Sequence, residues 1–206
     1  QQDPIAKVIF ETQLSELISA LEDKTVHAPP DLIVSGLALD SRKVEEGFLF
    51  FALPGEKEDG GEFIAEAKAR GAACAVCEHP PETEIPYILV PDAHKALALC
   101  AAVWYGTPAG KLTVVGVTGT NGKTTTTYLI KQLLERTKGA KVGLIGTNQN
   151  LISDKTIPTD RTTPDALTVQ RLLAQMVDAG CTYAVMEVSS HALMQSRVEA
   201  VSYTHL

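Results

Sequence analysis

The class of fold follows from Leu112-Thr-Val-Val-Gly-Val-Thr-Gly-Thr-Asn-Gly-Lys-Thr-Thr-Thr-Thr127. Residues 112–117 form an apolar run typical of a parallel strand covered on both faces. Gly119 and Gly122 then permit a tight turn that gathers backbone N–H groups, and a helix is predicted from Lys123. Because a helix N-terminus carries unsatisfied N–H donors and a partial positive charge, this strand, loop and helix predict a phosphate-binding site.

The loop offers groups suited to a nucleoside triphosphate. Lys123 places a full positive charge at the β- and γ-phosphates, and the Thr124 hydroxyl can ligate Mg²⁺. The standard loop has a further glycine where this chain has Val117, so only Gly-x-x-Gly-Lys-Thr is present. The alternative, a glycine-rich turn with an incidental lysine, is disfavoured by the apolar strand before it and the helix after it. The predicted contacts to ATP or GTP are Gly119, Thr120, Asn121, Gly122, Lys123, Thr124 and Thr125.

A second chemical segment ends the predicted strand at residues 183–188. Glu187 lies at the carboxyl end of that strand, the edge where open α/β sheets bind their ligands. A carboxylate there is predicted to hold Mg²⁺ directly or through water, the alternative being a glutamate paired with a lysine. Ser189, Ser190 and His191 lack the spacing of a nucleophile with its base, so hydrogen bonding to a polar substrate suits them better. His191 is left without a role.

The segment Gly106-Thr-Pro-Ala-Gly110 divides the chain into two predicted domains, residues 1–107 and 108–206. In the second domain, strands alternate with helices, which is the signature of an α/β fold with a mostly parallel, doubly wound sheet. The second of those helices is predicted to open at Thr163-Pro-Asp165, with proline at its first position. The predicted strands are 112–117, 141–145 and 183–188, and the predicted helices are 123–136 and about 163–180.

The first domain is predicted to be a small α/β unit. Leu14, Leu17, Ile18 and Leu21 fall on one helical face. A second helix is predicted after Gly61, and a third is capped by Asp92. The predicted strands are 32–39, 48–53, 73–77 and 87–90.

The composition excludes some classes of partner. The net charge is −7, the pI is about 5.2 and the chain has no basic run, so neither nucleic acid nor an anionic membrane is expected to bind. No apolar stretch approaches the length of a membrane span, and the N-terminus lacks a signal-peptide pattern. We expect a cytoplasmic protein and a monomer.

The four cysteines are predicted to be structural. Cys74-Ala-Val-Cys77 has metal-site spacing, but it lies in a predicted strand, where residues three apart point to opposite faces. No second pair is present to complete a zinc site. We interpret these cysteines as small buried hydrophobic residues.

Together these segments resemble the Mur ligases, the ATP-dependent amide-forming enzymes of bacterial peptidoglycan synthesis. The similarity is greatest to the MurE type of that family, the UDP-N-acetylmuramoyl-tripeptide synthetases. The shortened phosphate loop is the form that this family uses. The segments that carry the resemblance are Asp40-Ser-Arg-Lys-Val with Gly47-Phe-Leu-Phe and Gly55, residues 119–125, Gly143-Leu-Ile-Gly-Thr147, Thr162-Thr-Pro-Asp165, and Glu187-Val-Ser-Ser-His-Ala-Leu with Gln195 and Arg197.

The resemblance implies a domain that holds a uridine nucleotide, a central ATP-binding domain and a third domain that brings the amino acid. Ser41 would contact the uracil end of a UDP-N-acetylmuramoyl dipeptide. Lys123 and Glu187 would be catalytic, with Thr124 and Glu187 on magnesium. The residues expected on the pyrophosphate, sugar and peptide are Thr162, Thr163, Ser189, Gln195 and Arg197.

The implied reaction joins a diamino acid to the terminal D-glutamate of that dipeptide. ATP phosphorylates the glutamate carboxylate, and the incoming amine attacks the acyl phosphate, leaving an amide. Positioning and charge neutralisation carry such chemistry, and Lys123, Mg²⁺ and the loop amides would provide both. The diamino acid, meso-diaminopimelate or L-lysine, stays open.

Two segments depart from the family pattern. Arg161 stands where asparagine is often found, which puts that contact in question. Residues from about 199 follow no family pattern, so we expect a truncated central domain and a chain that is inactive alone. We do not assign His205 to a metal site.

Three alternatives remain. The first two are a MurF-like ligase and a folylpolyglutamate-synthase-like ligase, the latter disfavoured by Asp40-Ser-Arg42 and Glu187-Val-Ser-Ser-His191. The third is a nucleotide-binding module without catalysis.

Overall fold

The computed structural model describes residues 11–55, 59–159 and 161–203. His205 therefore lies outside the described residues, with the rest of 204–206. The chain divides into two compact units, Gln1–Ala96 and Leu97–Leu206. The domain boundary predicted after residue 107 stays a prediction. None of the helices in the described ranges is both long and apolar enough to cross a membrane.

The first unit is built on a mostly parallel sheet of five strands in the order β2–β7–β6–β5–β4. All its neighbouring strands are parallel except β2, which is antiparallel to β7. Its helices are α1 (Leu14–Leu17), α2 (Ile64–Ala69) and α3 (Ala93–Trp104), the last of which continues into the second unit. The strands are β1 (Thr12–Gln13), β2 (Thr25–His27), β3 (Ile33–Val34), β4 (Gly36–Ala38), β5 (Phe48–Phe51), β6 (Cys74–Cys77) and β7 (Tyr87–Leu89).

One predicted strand of this unit is two strands. The run predicted at residues 32–39 breaks at Ser35, so that β3 pairs with β1 and β4 pairs with β5. At the break, the N–H of Ser35 donates to the carbonyl of Gly47 and the Ser35 hydroxyl donates to the carbonyl of Glu46. Other predictions hold: Asp92 accepts a hydrogen bond from the N–H of Lys95 in the first turn of α3.

All four cysteines are buried and none forms a disulfide, which confirms their interpretation as small core residues. Cys77 packs with Phe50 and Ala75 on the face of the sheet that α2 covers. Cys74 points to the opposite face, because it is three residues away along β6. Burial raises the pKa of the Cys74 thiol to about 12 and that of Cys77 to about 11.

The second unit contains a five-stranded sheet in the order β11–β10–β9–β12–β8. The three strands β9, β12 and β8 are parallel, whereas β10 and β11 form an antiparallel hairpin that the sequence patterns did not predict. The helices are α4 (Lys123–Lys138), α5 (Ala166–Asp178) and α6 (Ser190–Met194). The strands are β8 (Thr113–Val117), β9 (Val142–Ile145), β10 (Asn150–Ile152), β11 (Lys155–Ile157) and β12 (Tyr183–Glu187).

The two long helices of this unit cover opposite faces of its sheet. Gly143 faces α5, because a Cβ there would lie 2.2 Å from the sulfur of Met176. The next residue of the strand, Leu144, therefore points to the opposite face of the sheet. On that other face, Thr124 of α4 bonds to Glu187 of β12. Helices on both faces of a parallel-rich sheet confirm the predicted doubly wound α/β class.

Two local predictions need correction. The N-cap of α5 is Asp165, whose carboxylate accepts from the N–H of Thr168 at 2.9 Å, so Pro164 precedes the cap and is not the first helical residue. The strand β8 was predicted to be covered on both faces. Instead, β8 pairs with β12 at the edge of the described sheet, and Val115 and Val117 are only half-buried.

Candidate functional site

The predicted phosphate loop lies between β8 and α4. Gly119 and Gly122 have φ angles of 138° and 81°, in the region that disfavours any residue with a Cβ. Gly122 is the N-cap of α4, so the free N–H groups of a 16-residue helix begin at Lys123. The Lys123 ammonium donates to the carbonyl of Gly119 at 2.6 Å, which places its charge across the mouth of the loop. Thr120, Asn121 and Thr125 are exposed around it.

Glu187 is the buried acceptor at the end of the loop's neighbouring strand. Its side chain is 1% exposed, and its carboxylate accepts from the Thr124 hydroxyl at 3.0 Å. It also accepts from the N–H of Thr147 at 2.9 Å and from the Thr147 hydroxyl at 3.0 Å. The carboxylate is thus held by hydroxyl and backbone donors, as a ligand-binding acid would be, rather than by the lysine of the alternative interpretation.

Strand register explains this meeting point. Glu187 pairs with Val117 at the end of β8, and Met186 pairs with Ile145 at the end of β9. The carboxyl ends of three parallel strands therefore meet at one edge, where open α/β sheets bind ligands. Thr147 comes just after the carboxyl end of β9, and Glu187 is at the carboxyl end of the neighbouring strand β12. This position at the end of a strand is the signal that could have identified Thr147 from the sequence.

The oxygen ligands fit a magnesium ion. A buried carboxylate and a threonine hydroxyl 3.0 Å apart are the hard donors that Mg²⁺ prefers. No cluster of three His, Cys, Asp or Glu residues that could hold a metal exists among the described residues. An ion at Glu187 would thus complete its octahedron with water and phosphate oxygens, which is how Mg²⁺ is held in nucleotide sites.

A cavity of about 420 Å³ opens beside Glu187 in the second unit. Its wall carries hydroxyl groups, two guanidinium groups and one imidazole, a set suited to an anionic, hydroxyl-rich ligand. Four predicted substrate residues contribute to this wall: Thr162, Thr163, Ser189 and Arg197. The lining residues are Thr147, Thr159, Arg161, Thr162, Thr163, Ser189, His191 and Arg197.

Two of these hydroxyl groups also hold the local backbone. Thr163 is 1% exposed, and its hydroxyl donates to the carbonyl of Glu187 at 2.8 Å while accepting from the N–H of Ser189 at 3.2 Å. The Ser189 hydroxyl accepts from the N–H of Ala192 and caps α6, which leaves its proton available to the cavity. Thr163 thus fixes the chain around Glu187, and its predicted contact with substrate stays a prediction.

Arg197 lines the cavity, whereas Gln195 is not among the lining residues but holds the Arg197 guanidinium. Arg197 donates to the carbonyl of Thr163 at 2.8 Å and to the Gln195 side-chain oxygen at 3.0 Å. Burial lowers the pKa of the Arg197 guanidinium, and the positive charge of Arg161 lowers it further. Two like charges beside one cavity favour an anion between them. The sequence interpretation did not predict Thr159 as a wall residue, and it left the contact at Arg161 in question.

Ser41 lies in the first unit, at the start of a short 3₁₀ turn, Ser41–Lys43. It is buried, and its hydroxyl donates to Glu66 at 2.6 Å. Arg70 donates to the other oxygen of Glu66, and the hydrogen bonds from Ser41 and Arg70 lower the pKa of the Glu66 carboxyl. A hydroxyl has one proton, so Ser41 could contact a ligand only as an acceptor.

Comparison with known proteins identifies both parts of the chain. Residues 33–105 match the family model described as "Mur ligase family, catalytic domain", and residues 117–205 match that of the "Mur ligase middle domain". A UDP-N-acetylmuramoyl-L-alanyl-D-glutamate--2,6-diaminopimelate ligase of Geobacillus kaustophilus is 47% identical over 193 residues, covering 93% of this chain and 39% of the relative. A relative of the same name from Gloeobacter violaceus is 49% identical, covering 86% of this chain and 37% of the relative.

Solved structures agree with these relatives. A structure of a UDP-N-acetylmuramoyl-L-alanyl-D-glutamate--2,6-diaminopimelate ligase matches with a TM-score of 0.77 and 28% identity, covering 93% of this chain and 39% of that one. A MurF ligase of Thermotoga maritima in complex with ADP matches with a TM-score of 0.52 and 25% identity, covering 81% of this chain and 35% of that one. The chain therefore spans about two fifths of the length of the curated relatives it matches. Two Mur ligase family models match consecutive parts of the chain, and the second of them includes the phosphate loop and the buried glutamate to which it is bonded. The chain therefore belongs to the Mur ligase family.

Proposed function

We propose that the full-length protein is an ATP-dependent ligase that joins 2,6-diaminopimelate to UDP-N-acetylmuramoyl-L-alanyl-D-glutamate in peptidoglycan synthesis. This chain would bind the ATP phosphates and part of the UDP-linked substrate. The observation that carries the proposal is the contact between Thr124 and Glu187 at the mouth of the phosphate loop. The names of the relatives support the choice of substrate and amino acid.

The nucleotide is proposed to lie on residues 119–125. The N–H groups of the loop and of the first turn of α4 would donate to phosphate oxygens, and Lys123 would leave the Gly119 carbonyl to reach the β- and γ-phosphates. The matching MurF structure was solved with ADP, which supports an adenine nucleotide. Magnesium, when bound at Thr124 and Glu187, would neutralise charge on the phosphates.

The UDP-linked substrate is proposed to use the 420 Å³ cavity of the second unit. Arg197 offers two N–H donors in a plane, which is the geometry that recognises phosphate or carboxylate groups. Gln195 orients that guanidinium through its side-chain oxygen. Thr162 and Ser189 supply hydroxyl groups for the sugar or peptide portions, and Ser41 is proposed to accept a hydrogen bond from the uracil.

The chain's residues serve the chemistry by position and charge. In the proposed reaction a glutamate carboxylate oxygen attacks the γ-phosphorus, ADP leaves, and the amine nitrogen then attacks the acyl carbon and expels phosphate. In the first step negative charge develops on the departing ADP oxygen and is spread over the oxygens of the transferred group, where Lys123 and the loop N–H groups would stabilise it. Glu187 would hold its carboxylate in place through three hydrogen bonds. The reaction is assigned to the cytoplasm, where ATP is supplied.

Two alternatives are less well supported. A MurF-like ligase agrees with solved MurF structures at TM-scores of 0.52 to 0.62, below the 0.77 of the diaminopimelate ligase. A transfer of L-lysine is weakened by the relatives' names, which specify diaminopimelate. A purely nucleotide-binding module would share the loop but would not need the anion cavity beside Glu187.

The proposal is tested with two proteins. Calorimetric titration of this chain with a non-hydrolysable ATP analogue should show binding that Mg²⁺ strengthens. The full-length polypeptide should sustain ADP release over many turnovers only when UDP-N-acetylmuramoyl-L-alanyl-D-glutamate and diaminopimelate are both present. ADP release with L-lysine in place of diaminopimelate, or with D-alanyl-D-alanine and the tripeptide, would replace the proposed reaction by one of the alternatives.

A further inference from the structure

We infer that Thr147 is a positioning residue that couples the Glu187 carboxylate to the anion cavity through Thr162. The inference rests on the proposed function, and it adds a residue and a linkage to it. Thr147 donates to both oxygens of Glu187, through its N–H at 2.9 Å and its hydroxyl at 3.0 Å. The same hydroxyl lies 3.0 Å from the hydroxyl of Thr162.

The directions of the hydrogen bonds follow from counting protons. An ionised carboxylate only accepts, so the single hydroxyl proton of Thr147 points to Glu187. Thr162 must then be the donor in its contact with Thr147. The chain of donation therefore runs from Thr162 to Thr147 to Glu187.

This chain gives the cavity a way to change the carboxylate. Thr162 has one hydroxyl proton. An anionic group in the cavity that accepts a hydrogen bond from Thr162 therefore replaces Thr147 as the acceptor of that proton. A hydroxyl that no longer accepts a hydrogen bond is a weaker donor, because linked hydrogen bonds polarise one another. Glu187 then keeps more of its negative charge for a cation beside Thr124. An anion in the cavity and a cation at Glu187 should therefore strengthen each other's binding.

The backbone supports a positioning role. Thr147 follows Gly146, whose backbone lies directly against the Glu187 carboxylate. A Cβ on Gly146 would lie 2.5 Å from Oε1 of Glu187. Gly146 also donates its N–H to the side chain of Asn150, which is 2% exposed. The turn that presents Thr147 is therefore fixed from both sides, and its hydroxyl is held at Glu187 before any ligand binds.

The test uses Thr147→Val, which keeps the shape and the backbone N–H and removes only the hydroxyl. Affinity for a non-hydrolysable ATP analogue would be measured by calorimetry with Mg²⁺, with EDTA, and with Mg²⁺ plus UDP-N-acetylmuramoyl-L-alanyl-D-glutamate. The unchanged chain should bind the analogue severalfold more tightly in Mg²⁺ when the UDP-linked substrate is present, because that substrate weakens the hydrogen bond from Thr147 to Glu187. In Thr147→Val the affinity in EDTA should not change, and this strengthening by the UDP-linked substrate should disappear.

Controls separate positioning from general damage. Thr147→Ser should restore all three affinities, and Thr156→Val on the exposed strand β11 should resemble the unchanged chain. Strengthening by the UDP-linked substrate that persists in Thr147→Val, or equal losses of affinity with Mg²⁺ and with EDTA, would overturn the inference. If Thr147→Val does not fold, Thr147→Ala, which also lacks the hydroxyl, should lose the same strengthening; retained strengthening would overturn the inference. Absence of Mg²⁺-dependent binding in the unchanged chain would instead refute the proposed function.

Discussion

Gly146 and Glu187 share a space that admits no further atom: a Cβ on Gly146 would lie 2.5 Å from Oε1 of the Glu187 carboxylate and 3.3 Å from Leu144. Glu187 is 1% exposed, and its carboxylate is held by donors from α4 and from the turn after β9. The glycine in this turn is therefore a requirement of the acid beside it. Its φ angle is not in the left-handed region, so the requirement is one of space.

Gly146→Ala should consequently displace the carboxylate. We expect the free energy of unfolding to fall by about 1–3 kcal/mol, the usual cost of overpacking a filled site. The Mg²⁺-dependent part of nucleotide affinity should fall with it. Urea unfolding and calorimetric titration measure the two effects. Gly110→Ala is the matched control, because a Cβ there meets nothing within 4 Å; equal behaviour of the two variants would show that Glu187 is not confined.

Lys123→Ala should abolish measurable binding of an ATP analogue while leaving the fold intact. The Lys123 ammonium bonds only to the loop carbonyls of Gly119 and Thr120, at 2.6 and 3.5 Å, among the described contacts. Loss of a charge-assisted bond to phosphate costs more than a neutral one, so we expect at least about a tenfold loss. Lys138→Ala, at the exposed end of the same helix, should bind as before. Unchanged binding by Lys123→Ala would remove the loop from the nucleotide site.

Arg161→Gln tests whether the second guanidinium serves an anion. Arg161 and Arg197 both line the cavity, and the positive charge of Arg161 repels that of Arg197. Removing it should weaken binding of uridine diphosphate severalfold and reduce the dependence of that binding on salt, since one fewer charge is screened. The measurement is a titration at two ionic strengths. Arg136→Gln, exposed on α4, should change neither quantity.

The sequence predicted the site best where residues suited to binding phosphate or a metal ion stand at the end of a predicted strand. The strand before Gly119, the helix after it and Glu187 at the end of β12 were each predictable, because strand ends of a parallel sheet meet at one edge. The hairpin of β10 and β11 was not. Its turn at Ser153, where φ is 54°, lacks the Asn-Gly or Asp-Gly pair that indicates such a turn.

The missed site residues share a different cause. Thr147 ends a segment that resembles the family and Arg161 stands beside another, but neither segment shows which neighbours its side chain meets, and it is tertiary packing that brings them to Glu187 and Arg197. Ser41 shows the same limit. Its motif suggests a ligand contact, but its hydroxyl is already donated to Glu66, twenty-five residues along the chain. Spacing predicts which edge carries the chemistry, whereas the direction of each hydroxyl proton depends on the neighbours that folding supplies.

The buried thiols predict a loss of stability in alkali. Burial raises the pKa of Cys74 to about 12 and of Cys77 to about 11, against about 8.5 in an unfolded chain. Between these values the unfolded state loses protons that the folded state keeps, so stability falls as pH rises. The limiting slope is about 1.4 kcal/mol per pH unit for each thiol. Unfolding by urea at pH 8 and pH 10 measures it, and Cys74→Ala with Cys77→Ala should flatten the decline.

Ser41→Ala tests the uridine assignment in the first unit. Because the Ser41 proton is committed to Glu66 at 2.6 Å, the hydroxyl has only a lone pair to offer a ligand, such as the N–H of a uracil ring. Loss of one neutral hydrogen bond should weaken the binding of uridine diphosphate by up to about tenfold. Ser19→Ala, which is exposed on the same unit, is the control and should bind normally.

A second variant distinguishes a ligand contact from a structural role for Ser41. Glu66→Gln keeps an oxygen that can accept from Ser41 but removes the negative charge that Arg70 also contacts. If Ser41 contacts uracil, Glu66→Gln should retain most of the affinity that Ser41→Ala loses, because the Ser41 lone pair stays in place. If both variants lose affinity and thermal stability together, the hydroxyl serves only to join the 3₁₀ turn Ser41–Lys43 to α2. Comparison of uridine diphosphate with inorganic pyrophosphate completes the test, since a uracil contact affects the first ligand and leaves the second unchanged.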